Sequence, residues 1–307
     1  MTNFSQKFYR NFYLKTNGFI PTKPLNQDVF PGDFFQIRNG EMIPLGNIYR
    51  EGIIDKDDAE FGYGIQLNPA SWDFHQGVTK PYSGKESGHN PLGEDFEFSK
   101  QVMSFKSPGS FMFKGNNPES VKILNWNDLG ASLIIKLTQV FYSFREVYVV
   151  TECATTSDWT LAIASSEKGE LEIAANSENY GLTDIFGHSD AKTIQSKDIE
   201  YYHREDKRKP SFFRAKKLVI QNERLDQFAN QMITEREFKH DWASQFFDYN
   251  FEFEPINYQT PISPNTQACL LDMLKANELN PNTALLYFRW EDANLDDVEK
   301  FFISYGE

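Results

Sequence analysis

Cysteine is almost absent from this chain: two residues in 307, Cys153 and Cys269. So few cannot staple a fold of this size, and they fit a reducing compartment. Long apolar runs are missing as well. The longest covers residues 284–288, far short of a membrane-spanning helix or a signal-peptide core. Histidine is scarce: His75, His89, His188, His203 and His240 are scattered, and none has metal-ligand spacing with another His or Cys. The chain has no Gly-x-Ser-x-Gly, no phosphate-binding loop and no dinucleotide fingerprint. Basic residues are outnumbered, 31 Lys plus Arg against 44 Asp plus Glu. The net charge of −13 argues against a dedicated nucleic-acid surface.

What is present is aromatic bulk: 28 Phe, 14 Tyr and 5 Trp in a chain that is 40% apolar. That is enough to fill one large domain or two modest ones, and it excludes disorder. The composition is that of a soluble, cytosolic, acidic globular protein. The charge is unevenly placed, however. Residues 1–222 sum to −3, with +5 in residues 201–222, while residues 223–307 carry −10. A solvated acidic face on C-terminal helices is the plain explanation. The sharper one is that the acidic end covers a more basic surface on the rest of the chain.

Apolar spacing places an amphipathic helix at 3–15, with Phe4, Phe8 and Phe12 on one stripe, Tyr9 and Tyr13 beside it, and Asn17-Gly18 as its stop. Phe34, Phe35 and Ile37 form a strand turned by Asn39-Gly40, a type I′ signal. Residues 55–95 read as irregular loops. Strands follow at 96–105, 111–113 and 121–124, and a buried helix at 128–141 is lined by Leu129, Leu133, Leu137, Val140 and Phe141. Residues 146–153 are too continuously apolar for a half-exposed strand. Residues 159–164 and 171–175 alternate about a Lys168-Gly169 turn, which predicts one hairpin with an apolar and a polar face. After Asn222 the pattern turns helical, with stripes Leu225/Phe228/Met232 and Phe238/Trp242/Phe246, a short strand at 251–256, a Pro-rich linker at 255–265 and a helix at 266–279. A strand at 285–290 and a helix capped by Asn294, with Asp297 at its positive end, close the chain.

Catalytic chemistry finds little support. Cys153 and Cys269 read as small core residues. His75 and His89 share a stretch with Asp73, Glu86 and Glu94, the one place where residue types for a metal or an assembled enzyme site gather. Loop histidines are more often simply solvated. Residues 203–217 hold seven Lys/Arg and two acids, a segment suited to an anionic lipid surface at about 1 kcal/mol per cation. Adjacent aromatics would serve nucleic acid in the same way, and a solvated hairpin tip explains it equally.

The order of elements resembles the gasdermin family, above all its bacterial members. The resemblance covers roughly residues 4–222. It rests on the N-terminal helix followed by Tyr13-Leu14-Lys15-Thr16-Asn17-Gly18-Phe19-Ile20-Pro21, on the strand pair ending Pro44-Leu45-Gly46-Asn47-Ile48, and on the buried helix followed by Glu146-Val147-Tyr148-Val149-Val150-Thr151-Glu152. It implies an α+β fold: a central twisted, mainly antiparallel sheet with flanking helices and a helical, acidic C-terminal segment. Residues 1–222 would be the pore-forming region and 223–307 the autoinhibitory segment. An activating protease would release that segment. The freed part would leave the cytoplasm for anionic membrane lipids, insert hairpin regions near 96–125 and 146–220, form a homo-oligomer and cause cell death in bacterial defence. Membrane contact would fall to Phe4, Phe8, Phe12, Phe111, Phe113, Trp159, Leu161, Ile163, Leu171 and Ile173. Lipid headgroups would meet Lys7, Arg10, Arg204, Lys207, Arg208, Lys209, Arg214, Lys216 and Lys217. The resemblance implies no enzyme activity, cofactor, metal or nucleic-acid partner. The alternatives are a non-catalytic adaptor docking through acidic C-terminal helices and an enzyme built from the 73–95 stretch.

Overall fold

A computed structural model describes residues 4–89, 95–140, 147–176, 184–221 and 281–303. The expectations for 223–280, including both helical stripes, the short strand, the linker, the 266–279 helix and Cys269, lie outside the described residues, as do Phe141 and Glu94. Helix α1 spans Gln6–Lys15 and stops where Asn17 and Gly18 both take positive φ. Strands β2 (Asp33–Arg38) and β3 (Glu41–Asn47) pair across Asn39-Gly40, both residues left-handed as a type I′ turn demands. With β1 (Ile20–Pro21), β9 (Glu119–Ile123), β10 (Tyr148–Thr155), β15 (Pro210–Ile220), β16 (Phe288–Asp292) and β4 (Phe61–Gln66) they form an eight-stranded sheet in which neighbouring strands run antiparallel.

This sheet is covered on both faces, which accounts for the unbroken apolar run in β10. Tyr148 and Val150 enter one core with α1, while Val147 and Val149 enter another with helix α2 (Trp126–Val140) and helix α3 (Pro281–Tyr287). The α2 stripe of Leu129, Leu133 and Leu137 is buried as its spacing predicts. The strand expected at 285–290 is displaced: residues 281–287 are helical and the strand covers Phe288–Asp292. Helix α4 (Leu295–Lys300) carries the expected Asn294 cap, completed as a capping box by Asp297.

The described part of the stretch expected as loops, residues 55–89, is largely strand. It holds a short 3-10 turn (Lys56–Asp58) and strands β4, β5 (Ser71–Gln76) and β6 (Val78–His89). Most of β6 is exposed, so no apolar alternation marks it. Backbone pairing with β7 (Asp95–Phe105) defines it instead. The hairpin expected at 159–175 is also corrected. Strand β11 (Asp158–Ala164) pairs with β8 (Phe111–Asn116) and β14 (Ile199–Glu205), whereas β12 (Gly169–Asn176) pairs with β7 and β13 (Lys192–Lys197). The turn is where it was expected, but its two strands enter different sheets. Strand β11 has no polar face either, since Thr160, Ala162 and Ala164 are as buried as Trp159, Leu161 and Ile163.

The two four-stranded sheets repeat one order. The first runs β14-β11-β8-β5, and the second β13-β12-β7-β6. They are therefore two adjacent hairpins, each bent once along a shared line. Helix α1 packs on the first sheet. Phe8 meets Phe111 and Phe113, and Phe12 meets Trp72, Phe74 and Phe113 while stacking on Phe212 of β15 at 4.7 Å. Phe12 thus ties the large sheet to the hairpins. Phe12→Ala should destabilise the full chain by about 3–5 kcal/mol in denaturant unfolding, whereas a loss below about 1 kcal/mol would deny it that role.

Candidate functional site

Two features gather the chemistry-bearing residues: the line where the hairpins bend, and the seat of the C-terminal segment. At the bend every strand passes a left-handed residue, namely Gly77, Gly109, Lys168 and Asp198, with φ between 55° and 73°. Glycine tolerates this freely, while Lys168 and Asp198 hold it at a cost of about 1 kcal/mol each. Backbone bonds run along the line. Lys106 N–H donates to Gly77 O, Gly109 N–H to Ala164 O, Lys168 N–H to Phe105 O, and Ser165 N–H to Asp198 O, all between 2.8 and 3.1 Å. The corner is thus a hydrogen-bonded row, and four strands turn together.

Beyond the bend the second sheet has two unlike faces. Met103, Phe105, Leu171, Ile173 and Ala175 are buried on one. On the other, Lys100 pairs with Glu172 at 2.9 Å and Glu86 at 3.6 Å. Hydrogen bonding to Glu172 raises the Lys100 pKa. The alternation expected of β12 is real and divides Leu171 and Ile173 from Glu170 and Glu172.

The second feature is a clasp. Strand β16 pairs with β15, and helix α4 lies against α1. Asp297 is almost wholly buried. It accepts hydrogen bonds from Tyr148 Oη at 2.8 Å, Lys217 Nζ at 2.9 Å and the Asn294 N–H at 2.8 Å, with Lys300 at 3.2 Å. Burial pushes its carboxyl up, but the Asn294 N–H and the Lys217 and Lys300 charges outweigh it and hold the group below the usual carboxylate range. Around it Lys216 pairs with Asp292 at 2.6 Å and Arg10 with Glu299 at 3.1 Å. Lys23 Nζ donates to Phe301 O, and Tyr13 Oη donates to Ala293 O. Val298 and Phe301 enter the same core as α1.

The residues singled out for membrane contact are therefore interior in this structure. Phe8, Phe12, Phe111, Phe113, Trp159, Leu161, Ile163, Leu171 and Ile173 are all buried, and Phe4 packs partly against the core. Of these, Leu171 and Ile173 lie beyond the bend, while the rest line the core under α1. The nine headgroup cations do not form one patch. Arg10, Lys216 and Lys217 converge on the clasp. Arg214 pairs with Glu152 at 2.9 Å and lies over the Phe19 ring. Arg208 pairs with Glu119, and Lys209 with Glu205 at 2.7 Å. Arg204 stands in a polar cleft of about 670 Å³, where it faces Asp158 and donates to His188 O. Lys7 donates to Pro108 O beside the bend, and Lys207 is exposed. Asp73 and His75 sit exposed on β5, and His89 pairs with Asp95 at the end of β6. Among the described residues, no group of three or more His, Cys, Asp and Glu is placed to hold a metal ion. Burial pushes the Cys153 thiol up to about 12, so it is no ready nucleophile.

Sequence reasoning missed Tyr148, Lys300, Asp292 and Glu299 as clasp residues. Their cross-chain partners lie 76 to 289 positions away and leave no local signal, apart from the Asp297–Lys300 pair at i,i+3. Only the opposed charges of 201–222 and the chain's end pointed this way.

No family model matches the chain, and no curated protein matches it. Among solved structures, the gasdermin A3 membrane pore determined by cryo-EM is similar over 70% of this chain and 90% of that chain, at 8% identity and a TM-score of 0.30.

Asp297→Asn should cost the full chain about 3 kcal/mol at neutral pH, because Lys217 keeps its charge beside a neutral partner. The native carboxyl is held low, so its contribution is complete above the ordinary carboxylate range and vanishes as falling pH protonates it. The gap between variant and parent in urea unfolding should therefore shrink below about pH 4. A gap independent of pH would contradict this assignment.

Proposed function

We propose that this chain is a gasdermin-like pore-forming protein held closed by its C-terminal segment. The observation that supports it most is the pair of hairpins bent along one line, with apolar and charged side chains divided between the two faces beyond the bend. A strand crossing a bilayer needs about 9–11 residues with alternating faces. Strands β6 and β7 have 12 and 11 residues. Strands β11 and β12, joined through residues 165–168, would give one straight strand from Asp158 to Asn176, longer than a single crossing needs. Met103, Phe105, Leu171 and Ile173 would face lipid, and Lys100, Glu86 and Glu172 would face a water-filled lumen. Phe111, Phe113, Trp159, Leu161 and Ile163 lie on the opposite face and would stay as the core beneath α1. The second sheet has unlike edges, β6 and β13, so pairing between copies would run head to tail and close a ring.

Activation would be proteolytic. While the tether is intact, the clasp is an intramolecular contact at high effective concentration; a cut leaves it to its own affinity. Loss of the segment would expose Arg10, Lys216 and Lys217 together, each worth about 1 kcal/mol at an anionic surface. In a cell the result would be membrane permeabilisation and death, a defence use consistent with the resemblance.

The full chain with a specific protease sequence inserted within residues 255–265 tests this reading. Uncut protein should leave dye-loaded anionic vesicles intact, and cut protein should release the dye. A cut chain that has shed its C-terminal fragment, stays folded and leaves the vesicles sealed would overturn the proposal.

A further inference from the structure

The apolar face beyond the bend is covered by a segment of the hairpins themselves. Residues 184–191 lead into β13 and fold back over the hollow between the two sheets. Ile185 and Phe186 are fully buried there against Met103, Phe105, Met112, Ala162, Leu171 and Ile173. This is the face that the pore reading assigns to lipid.

Polar contacts at both ends hold the segment down. Asp184 accepts from Lys80 Nζ on β6 at 2.5 Å, from Gln101 Nε2 on β7 at 3.0 Å and from the Phe186 N–H at 3.1 Å. At the other end the His188 carbonyl accepts from Arg204 on β14 and from the Ala191 N–H. Between them Gly187, at φ +81°, brings the backbone against Lys114 of β8. These contacts reach three of the four bent strands, β5/β6, β7/β8 and β13/β14, and Ile185 and Phe186 pack on the fourth through Ala162 of β11 and Leu171 and Ile173 of β12. None of the apolar side chains packed around it comes from residues 281–303.

We infer that residues 184–191 are an internal strap, a second lock that holds the hairpins bent and their apolar face covered, independent of the C-terminal clasp. The inference rests on the pore-forming reading and adds a step to it. Removing the C-terminal segment leaves in place every strap contact made among the described residues. Insertion then requires Ile185 and Phe186 to leave their pocket and the Lys80–Asp184 pair to part. A membrane favours that exchange, since the vacated apolar face passes to lipid instead of water. In solution the same opening would expose that face, so the strap keeps a released chain closed until it meets a bilayer.

A removable cross-link tests it on the full chain carrying the protease insertion. A Cβ built on Gly187 lies 3.5 Å from the Lys114 Cβ, within disulfide range. Gly187→Cys with Lys114→Cys, oxidised and then cut, should release dye from anionic vesicles at least about tenfold more slowly than after reduction. The parent chain, with its own Cys153 and Cys269, controls for the reductant. Because Gly187→Cys strains a left-handed position, Lys80→Glu supplies an independent variant. It sets a like charge beside Asp184 and should speed release after cutting by about threefold. Equal rates for oxidised and reduced protein, or an unchanged rate for Lys80→Glu, would overturn the strap and leave the pore reading standing. A cut parent chain that never releases dye would remove the pore reading, and the strap inference with it.

Discussion

The bend in the two hairpins is the constraint on which the rest depends. Four strands turn at four left-handed residues, and the hydrogen bonds of the sheets continue across the corner, so no strand can straighten alone. If the hairpins open as proposed, this continuity makes them open together. Whatever holds or releases one strand acts on all four. The asymmetry of the residues matters too: Gly77 and Gly109 accept the conformation at no steric cost, while Lys168 and Asp198 store a small strain that straightening would relieve.

Three bodies of side chains pack around the corner. Helix α1 presses on one sheet through Phe8 and Phe12, the 184–191 segment fills the hollow on the other side, and the clasp seats α4 against α1. Among the described residues, the clasp and the hairpins meet through shared packing on α1. Tyr9 touches Phe301 and Phe302 on one side of α1, while Phe8 and Phe12 touch the strands on the other. Asp297 anchors the arrangement because it is buried with three donors and two cations around it. Such a group fixes geometry more than it adds net stability, since its desolvation offsets much of its pairing.

What the sequence disclosed follows from the range of each interaction. Helix α1, the Asn39-Gly40 turn, the buried helix near 129–137 and the Asn294 cap are set by neighbours within a few positions, and all were legible. Strands β4, β5 and β6 were not, because their definition comes from pairing with β7, β8 and β9 and their side chains are largely solvent-facing. The assignment of residues 159–164 and 171–175 to one hairpin failed for a related reason. Alternation identifies strands but is silent on whether a strand crosses a corner into another sheet. The burial of both faces of β11 was hidden likewise, because Thr160, Ala162 and Ala164 suit a small-residue packing face and a polar one alike. Beyond the Asn294–Asp297 cap, the clasp was visible only as charge asymmetry, with its long-range pairs unreadable.

The claim that the bent hairpins open into straight strands is tested most directly by distance. Asp73 on β5 and Lys85 on β6 are both exposed and lie on either side of Gly77 in one chain segment. Spin labels placed at these two positions should report a short separation in the intact chain in solution. In vesicles permeabilised after cleavage, the separation should lengthen to about 40 Å, the span of twelve residues of extended strand. An unchanged separation in permeabilised vesicles would contradict the account.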